Sequence, residues 1–226
     1  MKRIFLVLGV ILALSGVLVG CDCSSKKNVD YLNYISELRY EVYQGKSQDY
    51  NLKASYGFRE TPYVNDGKVD KTLYYLTFEI INVSNLDATY FLNFSHDGKT
   101  FDKQFNLNHH KNSLFCEIEL ENFSAKTFTI NVGTLSQKQA IVMQSVVPEK
   151  ALDYKGAINS LIKSQPSLLD NYKNENGDFC AEIYARILVK DDKAYWYIGI
   201  ASGEGSLKAL LIDGMNGELL AVREVF

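Results

Sequence analysis

Apolar and polar positions alternate in short runs along residues 30–148. Residues 37–43 read Glu-Leu-Arg-Tyr-Glu-Val-Tyr, charged and apolar in turn. A period of two sends successive side chains to opposite faces, so this run predicts a strand with one face in a core and the other in water. The same period returns at 51–58, 73–81, 89–94, 100–107, 114–120, 127–132 and 140–147, each rich in Tyr, Phe, Ile, Val or Thr. Asn65-Asp66-Gly67 and His96-Asp97-Gly98 punctuate the runs with residues that tolerate the positive φ of tight turns. Eight short strands with hardly any helical period among them predict two antiparallel sheets packed face to face.

Past Pro148 the period lengthens. Leu152, Ile158, Leu161 and Ile162 share one helical face, which predicts a helix over 151–163. Ser164-Gln165-Pro166 open a second, short helix reaching Tyr172, since proline suits a first turn. Alternation then resumes at 179–189, 194–201, 207–213 and 218–225, giving a helix followed by a four-strand meander. The expected fold is therefore mainly β with an α+β part: an immunoglobulin-like β-sandwich over 30–148, then a small helix-plus-antiparallel-sheet domain over 149–226. The immunoglobulin likeness is architectural, because the sole tryptophan is Trp196 and no Cys-Trp-Cys pattern occurs in the sandwich segment. Ala194-Tyr195-Trp196-Tyr197-Ile198-Gly199-Ile200 and Ala209-Leu210-Leu211-Ile212-Asp213-Gly214-Met215-Asn216-Gly217-Glu218-Leu219-Leu220 resemble the PepSY family, small exported modules in which a helix packs on a sheet. Gly214 and Asn216 stand where that family usually has Ala and Thr. The resemblance implies an accessory or peptidase-regulating role.

The N-terminus has a different texture. Lys2 and Arg3 precede an uncharged run from Ile4 to Gly20, 17 residues against the roughly 20 that a membrane-spanning helix needs. The run ends in Leu18-Val19-Gly20-Cys21, which resembles the lipobox of bacterial lipoproteins. That resemblance implies cleavage of residues 1–20 as a signal peptide and attachment of diacylglycerol to the Cys21 thiol. Residues 21–29, with Ser24-Ser25-Lys26-Lys27-Asn28, then form a short polar tether. It also implies a partner, the lipid bilayer, and a location, the outer face of the bacterial plasma membrane. Acyl chains contribute about 0.8 kcal/mol per buried methylene, so two of them anchor where one binds only marginally. Asp22 resembles an inner-membrane retention signal in Gram-negative lipoproteins.

Composition narrows the chemistry. Among 226 residues, 24 Lys and Arg face 27 Asp and Glu, and losing Lys2 and Arg3 leaves 22 against 27. This excludes a strongly basic nucleic-acid binder. No Gly-x-Ser-x-Gly occurs, Gly98-Lys99-Thr100 lacks the upstream glycine of a phosphate loop, and the histidines are His96, His109 and His110. Neither a metal site nor a cofactor is expected. Glu117, Glu119 and Glu121 alternate and share what is expected to be a wet strand face. Cys116 and Cys180 lie in strand patterns and are expected as unpaired core thiols. Tyr195 and Tyr197 project from one side of their strand and Trp196, Ile198 and Ile200 from the other, making the tyrosines candidate ligand contacts. The expected function is non-enzymatic: a membrane-anchored surface lipoprotein binding an envelope protein or cell-wall polymer. The alternative is regulation or inhibition of an exported peptidase through the C-terminal domain.

Overall fold

The computed structural model describes residues 28–81, 83, 85, 87–203 and 205–225. The lipobox with Cys21, the signal peptide, and tether residues 21–27 lie outside the described residues. A 3₁₀ turn at Tyr31–Tyr34, capped by the Asp30 carboxylate, leads into β1 (Ile35–Lys46), β2 (Asn51–Glu60) and β3 (Thr72–Ile81). There follow β4 (Phe91–His96), β5 (Lys99–Gln104), β6 (Asn106–Asn108), β7 (Ser113–Glu119), β8 (Thr127–Gly133) and β9 (Lys138–Ser145). Helices α1 (Tyr154–Ser164) and α2 (Pro166–Asp170) precede β10 (Ala181–Lys190), β11 (Lys193–Ser202), β12 (Leu207–Asp213) and β13 (Leu219–Val225).

One path of hydrogen-bonded neighbours runs β13-β12-β11-β10-β1-β2-β3-β7-β6, and a second run, β5-β4-β8-β9, joins it at β1. Among the described strands every pairing is antiparallel except β1 with β10. β1 is thus a junction. Along one edge it pairs with β2; along the other, its first half pairs with β10 through Arg39–Arg186, and its second half pairs with β9 at Tyr43–Ser145 and Gln44–Gln144. The whole is a mainly β molecule whose large sheet curls into a nearly closed barrel, with a small helical part.

A single face of the main sheet carries both cores. Over β1, β2, β3 and β7 it meets the β5-β4-β8-β9 layer, where Tyr56, Phe78, Phe94, Phe123 and Phe128 pack mostly edge to face. Over β10–β13 it meets α1, whose Ala157, Ile158 and Leu161 lie against Trp196, Ile198 and Ile200. Asp153 caps α1, its Oδ1 accepting from the Gly156 amide at 2.7 Å, so the helix begins at Tyr154 rather than 151. Trp196 Nε1 donates to Leu152 O at 2.9 Å, fastening the helix approach to the sheet. Gly217, at φ 80°, brings the β12–β13 turn so close to α1 that a Cβ would meet Ser160 Oγ at 2.3 Å.

The run expected as one strand at 100–107 is two. β5 pairs with β4 and β6 pairs with β7, so the chain changes layers at Phe105, which is buried while its amide donates to Tyr90 O. Asp97-Gly98 and Asp191-Asp192, all at positive φ, make the two-residue turns β4–β5 and β10–β11.

Candidate functional site

Apart from its end at Glu182 and Tyr184, where the segment after β2 lies against it, the face of the main sheet turned away from both cores has no covering layer among the described elements. Strand register lays out a row across it: Leu211, Tyr197, Arg186, Arg39, Gly57, Tyr75 and Glu119, each the cross-strand partner of the next. A second row runs Asp213, Tyr195 and Leu188. Tyr195 and Tyr197 therefore lie together on this open face, half-buried, while Trp196, Ile198 and Ile200 are buried under α1.

Two ion clusters stiffen the face. Glu37 accepts from Arg186 Nε at 3.0 Å and Nη2 at 2.7 Å and forms an ion pair with Arg39 Nε at 2.6 Å, so one carboxylate bridges two neighbouring arginines. Burial pushes the Glu37 carboxyl up, but the Arg186 hydrogen bonds and the charges of Arg39 and Arg186 outweigh it and hold it below the usual carboxylate value. Arg59 forms a fork on Glu117 at 2.9 and 2.7 Å while its guanidinium lies 4.2 Å from the Tyr75 ring centre. Thr77 Oγ1 adds a 3.3 Å bond to Glu117. Glu117 and Glu119 share the outward face, with Glu117 engaged by Arg59, whereas Glu121 lies past the end of β7 and does not continue the row.

Where β1 passes from β10 to β9, the end of β10 diverges from β1 and a cleft of about 500 Å³ opens on this face. Arg186–Val189 line one side, Lys111 and Phe115 the other, with Gln44, Lys53 and Thr77 between. Four basic side chains, Arg39, Lys53, Lys111 and Arg186, line it against two acidic ones, Glu79 and Glu117. In a chain of net charge −3, this is a local reversal of sign.

The remaining chemistry-bearing residues are dispersed. His109 and His110 are exposed in the β6–β7 connection, and His96 stacks beside Phe94 and Phe123. Among the described residues no group of three or more His, Cys, Asp or Glu is placed to hold a metal ion, and no helix is long and apolar enough to cross a membrane. Cys116 and Cys180 are free thiols. Burial pushes Cys116 up to about 12, which makes it a poor nucleophile. Cys180 corrects the expectation of a core position: it is exposed just before β10, where the backbone has not yet entered the sheet. No signal in the sequence marks the cleft, because its lining comes from strands far apart in the chain. Comparison with protein-family models, curated proteins and solved structures finds no match.

Proposed function

We propose that this protein is a non-enzymatic lipoprotein, held by a lipid on Cys21 at the outer face of a bacterial plasma membrane, that binds an envelope protein or polymer through its open sheet face. The observation that carries this reading is the juxtaposition of Tyr197 and Arg186 in one cross-strand row beside the basic cleft. Tyrosine offers large contact area at small entropic cost, and the arginines are already oriented by Glu37. The ligand segment it suits carries anionic groups next to a flat apolar surface.

Its architecture is an immunoglobulin-like sandwich over 30–148 and a PepSY-like unit over 149–226. The first is supported by the aromatic core shared between two strand layers, the second by α1 lying across the β10–β13 meander. That helix-on-sheet packing also favours a second reading, regulation of an exported peptidase. Stoichiometric inhibition of envelope proteases by the protein would select it over polymer or protein binding.

The binding test is retention of the protein by fractionated envelope material. Tyr195→Ala combined with Tyr197→Ala should weaken retention by at least about tenfold, since an anchoring tyrosine contributes roughly 2 kcal/mol. Retention unchanged by the pair, in a variant that keeps its circular dichroism, would dispose of the binding face. Cys21→Ser should leave the protein unlipidated and free of the membrane fraction.

A further inference from the structure

A second set of polar side chains is buried where β1 begins, β2 ends and β10 begins. Ser36, Glu60 and Glu182 stand on these three neighbouring strands with Ser36 in the middle, because the adjacent Glu37 pairs with Arg59 on one side and Tyr184 on the other. Their exposures are 1%, 5% and 0%. Residues 61–71 fold over them: the Asp66 amide donates to Glu182 Oε1 at 3.1 Å, and the Asp70 amide donates to Glu60 Oε1 at 2.9 Å. Asn65 Nδ2 donates to Ser202 O at 2.9 Å, which fixes the amide plane.

Each carboxylate therefore has one oxygen held by the backbone. The other oxygens, Glu60 Oε2 and Glu182 Oε2, are buried without a hydrogen-bond partner, and so are Ser36 Oγ and Asn65 Oδ1. The Ser36 hydroxyl and the Gly67 amide lie close enough to ease the Glu182 charge, but Ser36 Oγ and Glu182 Oε2 still lack bonding geometry. Among the described residues no Lys or Arg forms an ion pair with Glu60 or Glu182. Two buried carboxylates with no ion-pair partner need compensation, because an isolated buried charge is strongly disfavoured. The unsatisfied atoms are all oxygens: two carboxylate, one amide carbonyl and one hydroxyl. That is the donor set of a hard cation, and its mixed character suits calcium better than magnesium, which retains its water.

We propose that Ser36, Glu60, Asn65 and Glu182 form a calcium-class cation site beneath the 61–71 segment. With only two charged ligands, its dissociation constant falls on the order of 10⁻⁴–10⁻³ M. Bound cation ties β2, β10 and the covering segment together.

The test titrates the full chain with calcium chloride alone, reading heat and melting temperature, and with terbium, whose luminescence Tyr63 and Tyr184 sensitise from beside Glu182. One equivalent of cation should bind, the melting temperature should rise with calcium, and Glu60→Gln should weaken binding at least about tenfold. Asn65→Ala and Ser36→Ala, which leave both charges in place, should weaken it more mildly and serve if the glutamine variants fail to fold. Absence of stoichiometric binding up to about 10 mM calcium, an order above the expected constant, would overturn the site. Binding undiminished in both Glu60→Gln and Asn65→Ala would overturn it too. A Glu182→Gln protein more stable than the parent, in a parent indifferent to calcium, would point to a proton shared by the two carboxyls and also overturn it.

Discussion

At the scale of single residues, Glu37 is the group on which the open face turns. Arg39 and Arg186 are cross-strand partners, and two cations at that spacing repel unless an anion lies between them. The folded state holds Glu37 ionised more readily than the unfolded chain does. The unfolded chain consequently binds more protons at mildly acidic pH, so the contribution of Glu37 is complete above the ordinary carboxylate value of 4.5 and is lost as pH falls through and below the depressed folded value. Glu37→Gln should cost about 2 kcal/mol near pH 7, the worth of hydrogen bonds to a charged group, and much less near pH 3. Urea unfolding of both proteins across that range measures this, and an equal loss at both ends would show that the charge is not what matters.

At the scale of elements, the strands were readable because alternation reports which face is buried, and it does so locally. What alternation cannot report is a break that leaves the pattern intact. Leu38, Tyr40 and Val42 separate Glu37, Arg39, Glu41 and Tyr43 in strict order, which predicts Glu41 beside Arg39 in water. In the structure β1 bulges against β2 between Arg39 and Glu41, and Glu41 turns inward to 8% exposure, held by Lys126 and Ser145. From there the even positions, Val42 and Gln44, take over the open face and line the cleft. Gly57 is the counterpart on β2: a Cβ there would sit 1.8 Å from Leu38 O, an overlap with backbone that nothing flexible can relieve. Gly57→Ala should destabilise by more than about 3 kcal/mol, beyond ordinary overpacking. A Gly57→Ala protein with an unshifted melting curve would mean that β1 and β2 are not so closely opposed.

At the scale of the whole molecule, Tyr195 and Tyr197 could be placed from sequence because their facing depends on one strand, whereas the cleft beside them depends on β1, β2, β3, β7 and β10 meeting. Pairing partners far apart in the chain leave no local trace. β1 also contributes to both cores: Leu38 to the one under α1, Tyr43 to the aromatic one, and Tyr40 to the edges of each. Losing either core exposes a strand the other needs, so the protein should unfold in one transition. Trp196, the only tryptophan, reports on the α1 core, while far-ultraviolet dichroism reports mostly on the strands. The two urea curves should coincide, and a separation between them would mean that the cores melt independently.

The parallel pairing of β1 also sets a timetable. Glu37 and Arg186 are 149 residues apart, so β1 leaves the ribosome long before its mate β10. Until then an unmated strand edge stays open to any other nascent chain nearby, and the long loop that must close makes its completion slow. Closure of the sheet accordingly waits until β10 has been made.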